Sequence, residues 1–301
     1  MKKVVLSIII LTVVIKGFAQ SYVRLNNYWD KTYIVNPASV NTDYLAEFNV
    51  ITRQQWLGFT GAPKTLFLSG TVYIDDMYTQ FGMRMLRDEI GYSATTDIDL
   101  TYAYSMRLNI DWRLRLGLGL SFQSLTYDVS KISSPTPGDP TVFNRLLNQN
   151  DINSDLGFEI KNKFWRFGFC SQNVFSLFSP VETNFINTNI GYGMYRDYSH
   201  EYVNLGFGVS AVQYRNLYQM EFNVTSYFKM TNQSSPFSLG LTYRTWSEVG
   251  ASFGIELFKN VHVSYNYDYN FGAISTNSYG SHEIMLTYNI DKVFKCNNCW
   301  Y

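Results

Sequence analysis

Chemistry in this 301-residue chain would have to start from three histidines, His200, His262 and His282, and three cysteines, Cys170, Cys296 and Cys299. Metal or hydrolase catalysis needs such histidines to converge with Ser, Asp or Glu. His282-Glu283 opens like a zinc-protease helix, but Leu286 stands where the second histidine is required. His262 alternates with Ser264 and Asn266, the pattern of a solvated histidine on the polar face of a strand. Cys296-Asn297-Asn298-Cys299 has dithiol spacing, yet a redox role needs it at a helix start beside a βαβ unit. It falls instead beyond the last strand, and no second ligand pair completes a zinc site. A Gly-rich phosphate loop and a metal-spaced acidic cluster are both missing from the sequence. No catalytic residue, cofactor or metal is expected. A hydrolase built from Ser, His and Asn on a barrel wall remains one rival function.

The elements that carry these residues follow from alternation. From Trp112 to Phe122, Trp112, Leu114, Leu116, Leu118, Leu120 and Phe122 share one face, while Arg113, Arg115, Gly117, Gly119 and Ser121 share the other. This period of two is the mark of a strand. Two arginines facing a dry core would be costly unless paired; facing a wet lumen they cost little. Ile98 to Arg107 alternates likewise, joined by an Asn109-Ile110-Asp111 turn. Comparable segments recur near 45–53, 65–74, 78–86, 155–161, 165–169, 203–209, 220–224, 237–243, 253–257, 261–267 and 284–290, giving thirteen. Bacterial single-chain barrels have even strand numbers, so a fourteenth is expected at 185–195.

Composition agrees. Charged residues are 16 % of the chain, against about 25 % in a soluble domain, whereas aromatics reach 17 % with 24 Tyr and 22 Phe. The 24 basic and 24 acidic residues cancel, which argues against nucleic acid as a partner. Together these predict an all-β fold, a transmembrane antiparallel β-barrel of 14 strands, with 12 as the alternative. Most tyrosines are then expected as anchors at the lipid headgroups.

Domain boundaries follow. Lys2 and Lys3, the apolar stretch Val4 to Ile15 and Gly17-Phe18-Ala19 read as a signal peptide over 1–19. Residues 20–43 are expected as an N-terminal periplasmic segment, 44–290 as the barrel and 291–301 as a periplasmic tail. Short turns and long loops should segregate to opposite ends, with the long ones at 54–64, 128–152, 172–184 and 271–282.

Three stretches resemble a known family. Val35-Asn36-Pro37-Ala38 follows a lead with Tyr28, Trp29 and Tyr33. Next comes Arg53-Gln54-Gln55-Trp56-Leu57-Gly58-Phe59-Thr60-Gly61-Ala62-Pro63-Lys64-Thr65. Near the end, Tyr267-Asp268-Tyr269 precedes Gly280-Ser281-His282-Glu283-Ile284-Met285-Leu286, and Leu239 to Arg244 adds a fourth piece. In this order they resemble the PorP/SprF family of outer-membrane proteins associated with the type IX secretion system. The sequence departs from that pattern at Ser39-Val40-Asn41 and is hard to align over 172–215.

The resemblance implies a non-enzymatic outer-membrane role. Its implied partners are a secreted surface protein with a C-terminal sorting domain, such as a gliding adhesin, and the periplasmic ring and lipoproteins of the machinery. The residues themselves offer candidates for partner binding or plugging: Trp56, Phe59 and Pro63 in the first loop, and Phe294, Trp300 and Tyr301 in the tail. Plug, partner contact and membrane anchor all remain open for the first loop. The rival architecture-level reading is a diffusion porin or hydrophobic-solute transporter.

Overall fold

The structure is a computed structural model that describes residues 23–128, 130, 148–178, 185–229, 237–245, 247–271 and 273–292. The expected signal peptide lies outside these residues, as do Phe294, Trp300, Tyr301, Cys296 and Cys299. Fourteen strands form among the described residues: β1 Ala46–Gln54, β2 Lys64–Ile74, β3 Thr79–Ile90, β4 Ser93–Arg107 and β5 Arg113–Tyr127. They continue as β6 Gln149–Lys161, β7 Trp165–Gln172, β8 Thr188–Arg196, β9 Val203–Tyr214 and β10 Leu217–Phe228, then β11 Phe237–Arg244, β12 Glu248–Phe258, β13 Val261–Asn270 and β14 Ser281–Ile290. Each pairs antiparallel with its chain neighbours. β1 closes on β14 from Ala46 opposite Ile290 to Gln54 opposite His282. Closure leaves no unpaired backbone edge, the condition for a sheet to cross lipid. The strand expected at 185–195 is β8, which makes the strand number even.

The outer face is apolar all round, with Leu118, Leu120, Phe122, Phe158, Phe169, Phe207, Leu241 and Leu286 exposed on the isolated barrel. Rings pair toward both rims: Trp165 with Tyr195 at 4.8 Å and Phe228 with Phe237 at 4.6 Å at one end, Tyr92 with Tyr127 at 6.2 Å at the other. Such rings match the girdles that sit at headgroup level.

The end carrying Leu45 and Ile290 has tight turns, two of which use the same device. Asn109 Oδ1 accepts the N–H groups of Asp111 and Trp112, and Asn162 Oδ1 those of Phe164 and Trp165, at 2.6–2.9 Å. An Asx side chain bonding its own downstream backbone pins the bend. The four long connections expected from the sequence all fall at the opposite end, at 55–63, 128–148, 173–187 and 271–280, together with short turns at 91–92, 215–216 and 245–247.

The lumen differs from the expectation. In place of a periplasmic segment, residues 23–43 lie inside the barrel as two 3-10 turns, Asn26–Trp29 and Thr32–Ile34, followed by an irregular run of turns and bends. Leu25, Tyr28, Tyr33, Val35, Asn36, Ala38 and Val40 are all buried there. Arg115, expected in water, is 1 % exposed and paired with Glu159 at 2.8 Å. The lumen is a packed interior, and its arginines are paid for by carboxylates rather than by solvent.

Candidate functional site

The plug is the feature around which the interior of the wall is built. Its seat begins with glycine. Gly82, Gly117, Gly157 and Gly208 all point their missing side chains at it: a Cβ at Gly82 would strike the Tyr33 hydroxyl, at Gly117 the Pro37-Ala38 peptide, at Gly157 the Asn36 amide and at Gly208 the Trp29 ring. On these strands the pleat delivers an inward position every second residue; glycine leaves room for the plug backbone at Gly117 and for plug side chains at Gly82, Gly157 and Gly208. Asn36 then bonds across the seat: its Nδ2 donates to the Phe158 carbonyl at 3.1 Å, and its Oδ1 accepts the Ala38 N–H at 2.9 Å.

Apolar wall residues interrupt the polar lumen where the plug passes. Ile51, Phe67, Ile190, Val212 and Met285 face inward and pack on Leu25, Ile34 and Val35. Burying side chains of this size contributes roughly 1.5–3 kcal/mol each relative to exposure.

A buried ion network fastens the first turn of the plug. Arg53, 1 % exposed, reaches Asp268 at 2.7 Å and Glu283 at 3.0 Å. Glu283 also accepts the backbone N–H groups of Asn26 and Asn27, both at 2.9 Å, and Asp268 accepts the Asn26 amide at 2.7 Å. Beside them Glu221 takes Arg24 at 2.6 Å, Arg244 at 2.7 Å and the Tyr28 hydroxyl at 2.7 Å, while Glu248 pairs with Arg244. Three arginines thus face four carboxylates; donors of the plug add to Glu283, Asp268 and Glu221, and Asn270 of the wall donates to Glu248. A second latch joins Lys31 to Glu47 at 2.9 Å, and a third brings Thr32 and Tyr192 onto Glu159.

The histidines do not converge. His262 is buried in the lumen with Glu256 at 3.0 Å and the plug's Asp30 at 3.6 Å, so it is paired and not the solvated residue expected. His282 lies on the outer face beside Tyr265, whose hydroxyl is 2.7 Å from its Nδ1. His200 sits in the 197–202 turn next to Asp197 at 2.9 Å. Ser199, through its backbone N–H first and its hydroxyl next, holds the Asp197 carboxyl down at about 2. Among the described residues no group of three His, Cys, Asp or Glu side chains is placed to hold a metal. Cys170 is buried and free.

The first loop is tied to the last. The Leu57 N–H donates to the Gly280 carbonyl at 2.8 Å, and the Tyr279 N–H to the Leu57 carbonyl at 2.7 Å, which extends the β1–β14 pairing past the sheet. Trp56 is half-buried at a positive φ of 48°, Phe59 is exposed and Pro63 is buried. The lumen is filled by 23–43, so of the sequence candidates these three belong to the rim.

The stretches that carried the family resemblance meet at the plug: Asn36-Pro37-Ala38 in its seat, Arg53, Arg244, Asp268 and Glu283 at its latch. The profile of the family described as type IX secretion system membrane protein PorP/SprF matches residues 17–288. The chain belongs to the PorP/SprF family. It is accordingly a secretion-system membrane barrel of the outer membrane, non-enzymatic in kind. No curated protein matches this PorP/SprF barrel. Among solved structures, the toluene transporter TbuX of Ralstonia pickettii superposes with a TM-score of 0.54 at 10 % identity, covering 87 % of this chain and 93 % of that one. A deltaS2 mutant of the monoaromatic hydrocarbon channel TodX gives 0.50 at 9 %, covering 87 % and 94 %. At such identities the likeness shows the fold alone.

Sequence reading missed the plug, Lys31, Glu47, Glu159 and the Glu221 site. One signal was present. Ile51, Phe67, Val212 and Met285 are apolar in the register otherwise reserved for polar lumen residues, which implies something apolar inside.

Proposed function

We propose that this PorP/SprF barrel serves type IX secretion as an anchor and not as a conduit, helping to export or hold a secreted protein with a C-terminal sorting domain, such as a gliding adhesin, at the cell surface. The observation that carries this reading is the lumen filled and latched by the chain's own residues 23–43. A barrel closed in this way has only its two ends with which to work. The end gathering the four long loops faces outward to the client, with Leu57 and Phe59 of the first loop as exposed apolar contacts. The end with the tight turns faces the periplasm, and the 291–301 tail with Phe294, Trp300 and Tyr301 meets the ring and lipoprotein components. The signal peptide is removed after Ala19.

The test is affinity purification of the tagged protein from outer membranes, together with its deletion. Co-purification of one large sorting-domain protein, and loss of that protein from the surface on deletion with little change in solute permeability, is the expected result. Solute flux through the reconstituted barrel, with surface proteins unaffected by deletion, would favour instead a porin or a transporter of the kind TbuX is named for. Removal of 292–301 should weaken recovery of machinery components while leaving the barrel folded.

A further inference from the structure

At the tight-turn end the mouth of the barrel is divided by charge. Strand alternation turns Arg107 of β4 inward with Ser105, Arg113 of β5 with Arg115, Lys161 of β6 with Glu159, Arg166 of β7 with Gly168, and Arg196 of β8 with Tyr192. Register sets four of these cations in one row. Arg107 stands opposite Arg113, Arg113 opposite Lys161, and Lys161 opposite Arg166. Directly opposed residues lie about 4.5–5.5 Å apart at Cα, and like charges so placed repel. Arg196 extends the arc to the next strand.

The plug serves the other half of the mouth. It gives Lys31 to Glu47 on β1 at 2.9 Å and turns Asp30 toward His262 on β13 at 3.6 Å, where Glu256 on β12 also reaches the ring at 3.0 Å. The arc receives no such partner. Among the described residues, no carboxylate comes within 4.0 Å of Arg107, Arg113, Lys161 or Arg196. Arg166 has Glu159 at 3.9 Å, a carboxylate already taken by Arg115 at 2.8 Å. Asp43 of the plug acts on Lys161 only at longer range, and Asp111 in the β4–β5 turn is exposed and makes no ion pair with the row. The row is also open to a partner: Arg107 is exposed, and Arg113, Lys161 and Arg166 are half-buried.

We propose that this arc is the docking site for an acidic segment of a periplasmic protein, one that presents at least three carboxylates along one side. The row faces the lumen, where lipid headgroups do not reach, and one small anion would neutralise a single pair and leave the others repelling. A chain segment fits the dimensions. Four positions about 5 Å apart span about 15 Å, while alternate residues of an extended segment repeat every ~6.6 Å, so that three carboxylates span about 13 Å. Arginine suits this task because its fork binds a carboxylate through two parallel hydrogen bonds. The inference rests on the reading above that the tight-turn end faces the periplasm, and it gives the chemistry of what is met there.

The experiment is calorimetric titration of acetyl-Glu-Ser-Glu-Ser-Glu-Ser-amide, acetyl-Lys-Ser-Lys-Ser-Lys-Ser-amide and inorganic phosphate into the purified full-length barrel in neutral detergent. Saturable one-site binding of the glutamate peptide is expected, with the lysine peptide inert and phosphate at least about tenfold weaker, the scale of one charge-assisted hydrogen bond. Raising the ionic strength from about 0.1 to about 1 M cuts the screening length from about 10 to about 3 Å and should abolish it. The double change Arg113→Gln with Lys161→Gln should weaken the glutamate peptide at least tenfold, whereas the charge-matched pair Lys64→Gln with Arg87→Gln, exposed at the long-loop end, should leave it unchanged. Circular dichroism of each variant reports folding; if the first pair does not fold, the exposed Arg107→Gln serves in its place, with a several-fold loss expected. No binding of the glutamate peptide, phosphate binding as tightly as the peptide, or equal losses from both pairs overturns the proposal, whatever co-purifies from outer membranes. Peptide binding that Arg113→Gln with Lys161→Gln removes, with no machinery component recovered from outer membranes, overturns the machinery contact under the proposed function and leaves the docking site standing.

Discussion

Arg53 shows how a residue in the family-like stretch acquires meaning from its surroundings. Nothing beside it in the chain is acidic, yet in the barrel it lies between Asp268 and Glu283 from two other strands. Replacing it with Met removes the charge and keeps the volume, stranding the two carboxylates that also hold Asn26 and Asn27. Breaking a buried pair from one side costs about 3–5 kcal/mol. Arg53→Met is therefore expected to lower unfolding stability by that order in urea titrations, and a double change that also makes Glu283→Gln should recover part of it. Asp197 belongs to the same scale but lies in an exposed turn. Its carboxyl is held at about 2 by Ser199 and then His200, below the unfolded value of about 4. Ordering of the turn is therefore fully present above pH about 4 and lost as pH falls through about 2. The Ser199 amide resonance should titrate with a midpoint near 2; a midpoint near 4 would mean the turn does not hold this carboxylate.

At the scale of elements, the plug is short of internal hydrogen bonding and takes its shape from the wall. It has two brief 3-10 turns, and its burial depends on glycines of β3, β5, β6 and β9. Gly117→Val is expected to force the Pro37-Ala38 peptide off its seat, with an overpacking cost of about 1–3 kcal/mol. Limited proteolysis should then cut within 23–43, where the wild type resists. The same logic separates sheet from plug: deleting 23–43 should leave strand content nearly unchanged by circular dichroism, because strand pairing is continuous without it. It should also raise single-channel conductance in planar bilayers. An unchanged, closed barrel after that deletion would show that something other than the plug seals the lumen.

For the whole molecule, a filled lumen and an unbroken apolar exterior leave the rims as working surfaces. The described part of the plug runs from Val23, near Ile90, Thr188 and Tyr214 at the long-loop end, to Leu45 beside Ile290 at the end with the tight turns. A Val35→Cys and Phe67→Cys pair, cross-linked, should leave client display intact if the barrel anchors with its plug in place, as measured by surface labelling of the client. Loss of display on cross-linking, reversed by reductant, would mean that the plug has to move.

Fold class, strand number and the facing of most strand residues were legible in the sequence, because a sheet crossing lipid must alternate and cannot end on an open edge. Trp112 to Phe122 and the even count that required β8 are the plainest instances. Family was legible too, in stretches such as Arg53 to Thr65. Tertiary structure alone decided what the lumen contains. Residues 23–43 carry no periodicity that aims them anywhere; their partners Glu47, Glu159, Glu221, Asp268 and Glu283 lie on five different strands. Those carboxylates each read locally as polar positions facing water. Only closure of the barrel sets them around one segment, and burial then turns ordinary lumen charges into the latches of a plug.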